Sequence, residues 1–377
     1  MAARFPDKYI IGLTGNIATG KSVVRKMLEH LGALGIDADR LSHAAMAKGA
    51  PAYKPVVQTF GQFILAENGE IDRKTLGTIV FSNPAALAQL EKIVHPVVRQ
   101  AIEFMIKRAS QKVIVIEAIK LLEGDLASYC DSIWVTDAPP ELQAQRMVTR
   151  RKMTQVEALQ RIQAQNAQAE KLKRAQVVIR NDGSVENTWK QVQAAWNGLP
   201  LNGQRPAQPA PVATPAGALV VRRCGPGDSQ AIAQFINTVR GEKLTRVDVI
   251  EAFGDKAYFT AEMNGQVIGL AGWQVENLVT RVPELFLANG TAPTTLIPLL
   301  AAVEQASNDL QSEAALIFTA PGLAQLATPV FKQAGYAQTT PDAINIAAWR
   351  EAAAESQPEN TVILFKKLRE DRVLRPV

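Results

Sequence analysis

With 377 residues and 47% apolar content, the chain can fill two hydrophobic cores and is excluded from the disordered class. Its net charge of +5 suits the handling of small polyanions, whereas the lack of a basic run or an aromatic-rich signature argues against nucleic acid. Cys130 and Cys224 lack metal-ligand spacing and read as reduced thiols; with no signal peptide in Met1 to Tyr9 and no apolar run of ~20 residues to span a membrane, a cytoplasmic protein is expected.

The first predicted strand, Tyr9 to Leu13, runs into Gly15-Asn16-Ile17-Ala18-Thr19-Gly20-Lys21-Ser22, and a helix follows to about Leu31. This is the G-x-x-x-x-G-K-S phosphate loop in its strand-to-helix setting. Its glycines let successive N–H groups curl around an anion, and the helix N-terminus adds partial positive charge at the same spot. Lys21 is expected to reach the β- and γ-phosphates of a nucleotide, and the Ser22 hydroxyl to be a ligand for Mg²⁺. A second strand, Ala33 to Ile36, ends in Asp37-Ala38-Asp39, at the carboxyl edge where parallel sheets bind ligands. Alternation points Asp37 and Asp39 the same way if the strand continues through them. The competing reading makes Asp39 the cap of a helix starting near Arg40.

From Leu41 to Arg108 the pattern is helical, with helices expected over 41–48, 52–60, 73–81, 84–94 and 96–108. An insertion that long between strands has the size of an acceptor-substrate pocket. His95 precedes Pro96 and is placed at a helix junction, where a hydrogen bond to backbone is its simplest role. Strands at Lys112 to Glu117 and Ser132 to Thr136 alternate with helices, as in a doubly wound parallel α/β sheet. The next helix carries Arg146 and Arg150 on one face. Thr154 and Glu157 form a capping box for a charged helix reaching about Arg174, with Arg161, Lys171 and Lys173. Such a helix suits a mobile lid that lays arginines over phosphates, with a solvated surface face as the alternative. A short strand at Val177 to Ile179, a turn at Asn181-Asp182-Gly183 and a helix from Val185 to Trp196 complete a first domain, 1–199. The proline-rich segment 200–217 reads as a stiff linker to a second domain, 218–377.

Taken together, the residues over about Tyr9 to Trp196 resemble the dephospho-coenzyme A kinase family. The likeness rests on Gly12 to Ser22, Ile36-Asp37-Ala38-Asp39, Ile71-Asp72-Arg73, Val94-His95-Pro96, Gln143 with Arg146, and Val178-Ile179 with Asn181 and Gly183. It implies a P-loop kinase with a parallel sheet, a helical acceptor insertion and a lid. The implied reaction moves the γ-phosphoryl group of ATP to the ribose 3′-hydroxyl of dephospho-coenzyme A, with Mg²⁺ bound. It further implies Asp39 as the group that orients the hydroxyl and accepts its proton, and Lys21 with the loop amides as the donor cradle. By the same resemblance, Arg146, Arg150 and Arg161 would close over the nucleotide, Asn181 would border it, and Asp37 and His95 would face the acceptor.

Departures from the family are also visible. Glu117-Ala118-Ile119-Lys120 replaces an acidic residue followed by Pro-Leu-Leu, placing the Lys120 cation beside the expected acceptor pocket. Lys120 then serves substrate phosphates or changes the acceptor to another nucleoside or nucleotide. Gln176 stands in place of an aspartate, and Asn166 to Glu170 lacks Met-Pro-Leu. A nucleotide-binding scaffold whose second domain recruits a partner is the remaining alternative. In 218–377 the order of strands and helices, with Phe331 to Tyr336, is similar to the GNAT acetyltransferase fold. Asn289-Gly290-Thr291-Ala292-Pro293 stands where that fold has its pyrophosphate loop, and one glycine with a proline leaves few free amides. This argues for a degenerate GNAT-like module rather than an acetyl-transfer site, with binding of coenzyme A or acetyl-coenzyme A, packing on the kinase or contact with a protein as its remaining roles.

Overall fold

The computed structural model describes residues 5–151, 153–163, 165, 168–201, 218–276 and 278–369. Most of the expected linker, 202–217, and Asn166 lie outside the described residues. The chain forms two compact units: 1–36, 110–274 and 286–303 make the first, and 37–109, 275–285 and 304–377 the second. Each unit therefore takes residues from both sides of the proline-rich segment.

In chain order, β1 (Tyr9–Thr14), α1 (Lys21–His30) and β2 (Leu34–Asp37) come first. The insertion follows as α2 (Ala38–Ala45), α3 (Tyr53–Phe60), α4 (Arg73–Ser82) and α5 (Pro84–Arg108). Next are β3 (Val113–Glu117), β4 (Ser132–Asp137), α6 (Pro140–Arg151), α7 (Gln155–Gln163), α8 (Gln168–Lys173), β5 (Val177–Arg180) and α9 (Val185–Asn197). Beyond 218 the chain forms β6 (Leu219–Arg223), α10 (Ser229–Arg240), α11 (Arg246–Ala252), β7 (Ala257–Met263), β8 (Gln266–Glu276) and β9 (Val279–Leu287). It ends with α12 (Leu296–Asp309), β10 (Ala314–Thr319), α13 (Pro321–Leu326), α14 (Thr328–Gln333), β11 (Ala337–Thr339), α15 (Ala347–Ser356) and β12 (Val362–Lys367).

In the first unit β1 sits at the centre of a sheet ordered β2-β3-β1-β4-β5, pairing in parallel with β3 and β4, while β4 pairs in parallel with β5. Helices cover both faces of such a sheet, so its strands are apolar runs rather than alternating ones. Ile11, Leu13, Val113, Val115 and Trp134 are buried accordingly, against Val24, Met27 and Leu28 of α1 and Val192 and Trp196 of α9. Farther along, β6, β7 and β8 pair antiparallel. The β7–β8 hairpin turns at Asn264 and Gly265, whose φ of 52° and 75° are the positive pair that a type I′ turn needs. Cys130 and Cys224 are free thiols, and burial pushes them up to about 12 and about 11. They stay protonated and unreactive near neutral pH.

His30, at the end of α1, packs edge-on against Phe253 with ring centroids 5.4 Å apart, and its Nε2 lies 3.2 Å from the Phe253 carbonyl, which accepts. Desolvation, with Arg223 beside it, pushes this imidazole down to about 3. Between pH 6.5 and 3 the unfolded chain therefore takes up a proton that the folded chain refuses. The His30 contribution to stability is present above pH 6.5 and is lost as pH falls. In urea titrations at a series of pH values, this residue is expected to cost about 1.4 kcal/mol per pH unit across that window. A His30→Gln chain should lack that component; an unchanged slope in the variant would refute the assignment.

The second unit joins the α2–α5 helices to β9, β10, β12 and β11. There β9 and β10 are parallel, and β12 pairs antiparallel with β10 and β11. Leu316, Phe318, Trp349 and Ile363 form its core. Arg40 pairs with Glu276 at 2.9 Å and Arg73 with Glu351 at 3.5 Å, so the insertion is bonded to residues far along the chain. Two expectations are corrected here. The helices expected over 84–94 and 96–108 are one continuous helix, α5, with Pro96 inside it. Proline removes one backbone hydrogen bond, but Val94, Val98, Ala101, Ile102 and Met105 make one buried stripe that carries the helix through. His95 is thus an exposed residue within a helix and not a junction residue. Nor does strand β2 continue through Asp39, because α2 begins at Ala38.

Candidate active site

The phosphate loop lies between β1 and α1, and its backbone is held from several directions. Gly15 has φ of 149°, and a Cβ there would come within 2.5 Å of Thr136 Oγ1. Thr19 Oγ1 donates to the Asn16 carbonyl at 2.8 Å and shares a 2.7 Å hydrogen bond with Thr136 Oγ1. Gly20 is the residue before α1, with φ of 96°. Lys21 is buried, and its Nζ donates to the Gly15 and Asn16 carbonyls at 3.0 and 3.2 Å, which folds the ammonium over the loop.

Around this loop, Ser22 Oγ donates to Glu117 Oε1 at 2.9 Å, and Arg25 Nε donates to Glu117 Oε2 at 2.7 Å. Glu117 ends β3 and is almost fully buried, with each of its oxygens accepting one of these bonds. Arg25 also pairs with Glu29, and Lys26 reaches Glu29 at 3.2 Å. Burial alone would raise the Glu29 carboxyl; Lys26 and Arg25 outweigh it and hold the group below its ordinary range.

Arg146 on α6 donates to the Ala18 carbonyl at 3.1 Å and to the Asn181 carbonyl at 2.8 Å. The Asn181 side chain in turn donates to the Thr19 carbonyl at 3.1 Å and accepts from Thr188 at 3.0 Å. Arg146 and Asn181 therefore meet at the backbone of the loop. The segment after α6 behaves differently from the single charged helix expected there. It is two helices, α7 and α8, with the Thr154 and Glu157 capping box in place. Lys171 is buried and donates to the Ile119 carbonyl at 2.9 Å, so it anchors the turn after β3 instead of facing solvent.

Gln168 Oε1 accepts from Asn16 N at 3.0 Å, and Gln165 Oε1 accepts from Ile17 N at 2.7 Å. Two side-chain amide oxygens thus occupy loop donors of the kind that hold phosphate oxygens. Arg161 is exposed on α7, Lys120 is exposed in the turn after β3, and the Arg150 side chain lies outside the described residues. Asp37, Asp39 and His95 belong to the second unit. Asp37 is the cap of α2: its carboxylate accepts from Arg40 N at 2.9 Å and pairs with the Arg40 side chain at 3.4 Å. This assigns the capping role to Asp37 and leaves Asp39, half-buried in the first turn, outside it. Gln176 donates from its backbone to the Ile133 carbonyl and accepts Ile133 N at 2.7 Å, which extends the pairing of β4 with β5.

Sequence reasoning missed Glu117, Gln165 and Gln168 as loop partners. Glu117 carried a usable signal, an acidic residue at the carboxyl end of a buried strand; the glutamines carried none. The loop opens onto a cleft of 440 Å³ that includes Lys21, Ser22, Arg146, Asn181 and Gly183. That volume lies in the range of about 300–1,000 Å³ usual for small-molecule sites. Among the described residues no helix is long and apolar enough to cross a membrane, and no group of three metal-binding side chains occurs.

Comparison with known proteins places these residues in context. The family model for dephospho-CoA kinase matches residues 9–187. The dephospho-CoA kinase of Carboxydothermus hydrogenoformans is 45% identical over 186 residues, which cover 48% of this chain and 90% of that protein. A crystal structure from Thermus thermophilus is 31% identical with a TM-score of 0.47, covering 51% of this chain and 98% of its own. A GNAT-family acetyltransferase from Staphylococcus aureus aligns at 14% identity and a TM-score of 0.32, over 40% of this chain and all of its own.

Proposed function

Because the chain belongs to the dephospho-CoA kinase family, we propose that it transfers the γ-phosphoryl group of ATP to the ribose 3′-hydroxyl of dephospho-coenzyme A. In this reading residues 1–199 carry the reaction, in the cytoplasm, and 218–377 is a GNAT-like module without an acyl-transfer site. The observation that carries it is the phosphate loop with Lys21 folded over it, Ser22 bonded to Glu117, and Arg146 and Asn181 bonded to its carbonyls. Phosphoryl transfer is chiefly positioning and charge neutralisation, and these groups supply both.

The loop amides and Lys21 hold the β- and γ-phosphates, after Gln165 and Gln168 release Ile17 N and Asn16 N. The acceptor 3′-oxygen forms a bond to the γ-phosphorus as the bond from that phosphorus to the β,γ-bridging oxygen breaks. The hydroxyl proton passes to Asp39, and ADP and coenzyme A leave. Ser22 and Glu117 are hard oxygen donors 2.9 Å apart, so their chemistry fits Mg²⁺. A bound Mg²⁺ would neutralise charge on the phosphate oxygens. In this reading Lys120, exposed in the turn after β3, serves the acceptor phosphates.

The test is ADP release by the full chain with ATP and a panel of acceptors. Turnover that depends on dephospho-coenzyme A supports the proposal. A preference for another nucleoside or nucleotide would move the acceptor assignment, and ATP binding without acceptor-dependent turnover would defeat it.

A further inference from the structure

The cleft that begins at the phosphate loop is completed by residues from far along the chain, beyond the proline-rich segment. Besides Lys21, Ser22 and Asn181, its lining includes Val247 and Glu251 of α11 and Asp255 just after it. Helix α11 starts at a fixed place. Thr245 is its cap, accepting from Asp248 N at 3.3 Å, while the Asp248 carboxylate accepts from Thr245 N at 2.7 Å. That reciprocal pair sets where Arg246 and Val247 stand.

One ion pair holds α11 to α9, and a residue without a side chain lets the chain just after α11 run close to α1. Arg246 Nη2 lies 2.7 Å from Glu186 Oε1, in the first turn of α9. After the helix, a Cβ on Gly254 would lie 3.4 Å from the Val23 side chain, next to Ser22. Within the helix, Ile250 is 5% exposed and packs inward, whereas Val247 is 61% exposed. An aliphatic side chain left open on the wall of a cleft has a surface to offer an apolar partner.

Charge decides which part of a nucleotide meets this wall. Lys21 and Arg146 are the cations at the loop, and Glu251 and Asp255 are carboxylates on the α11 side. A triphosphate is attracted to the first group and repelled by the second, so the nucleoside must lie towards α11. Building on the kinase reading, we infer that α11 is the outer wall of the nucleoside end of the ATP site. Val247 packs against the base, and the Arg246–Glu186 pair closes its edge. Helix α11 is by this account part of the nucleotide site, and Val247 and Arg246 are positioning residues for ATP.

The experiment compares the full-length chain with its Val247→Asp and Arg246→Ala variants. ATP affinity is measured by calorimetry, and steady-state kinetics are run with dephospho-coenzyme A. Val247→Asp is expected to raise the KM and Kd for ATP about tenfold and Arg246→Ala about threefold, with kcat at saturating ATP within about twofold of the parent. Inhibition by tripolyphosphate, which has no nucleoside, should be unchanged in both. If Val247→Asp melts early, Val247→Ala takes its place, with an expected rise of about threefold. Unchanged ATP affinity in a variant that melts like the parent overturns the inference, as does an equal loss of tripolyphosphate inhibition. Affinity is read without turnover, so a chain that binds ATP but phosphorylates no acceptor defeats the kinase reading alone. A chain that binds no nucleotide defeats both.

Discussion

An Asp39→Asn chain is expected to lose about 10³-fold in kcat while its ATP affinity stays within about twofold of the parent. The substitution keeps the size of the side chain and removes its negative charge together with its capacity to take a proton. The loss therefore reports the carboxylate's chemistry, and not packing. In the helix that carries it, the capping work is done by Asp37, whose carboxylate is bonded to Arg40 N and to the Arg40 side chain. Asp39 is spared that role and remains half-buried in the first turn of α2. Calorimetry with ATP and turnover with dephospho-coenzyme A separate the two effects. Activity within about tenfold of the parent would remove Asp39 as the proton acceptor.

The second large effect is expected at Gly20. A Cβ there would stand 1.9 Å from Asn181 Nδ2, and the residue has φ of 96°, where a side chain is strained whatever the space around it. Asn181 has little room to retreat, because it is buried and bonded to both the Thr19 carbonyl and Thr188. Gly20→Ala must therefore strain the backbone, at a cost of about 1–3 kcal/mol, or break the Asn181 bonds, at about 1–3 kcal/mol for a buried group left unpaired. Either route tilts the loop amides, and ATP affinity should fall at least about 30-fold, with a lower Tm. The double change Gly20→Ala with Asn181→Ala removes the collision and leaves the strain. It should recover part of the affinity; no recovery would show that backbone strain alone is responsible.

Much of the first unit was legible in the sequence because its signals are local. The phosphate loop works through backbone amides and a lysine within eight successive residues, Gly15 to Ser22, so its chemistry can be recognised before folding is considered. The parallel strands were legible for a related reason, since a sheet covered on both faces needs uninterrupted apolar runs such as residues 113–116. Helix α5 shows the limit of local signals. Pro96 argues for a break, yet the buried stripe from Val94 to Met105 outweighs one lost hydrogen bond, and that stripe acts only when packed. The charged segment after Thr154 shows the same limit from the other side. Lys171 looks like a surface cation in the sequence and is buried on the Ile119 carbonyl in the structure.

By itself, then, the sequence determined that this chain has a phosphate cradle on a parallel sheet and a second segment beyond a proline-rich stretch. Only the tertiary structure decided which side chains serve the cradle. Glu117 on Ser22, Arg146 and Asn181 on the loop carbonyls, Gln165 and Gln168 on its amides, and α11 along its cleft are all distant in sequence from Gly15 to Ser22. Hydrogen bonds and cleft walls depend on positions in space to within a few tenths of an ångström. Residue order constrains such positions only for near neighbours, so for these groups the packing had to supply what the spacing of residues does not contain.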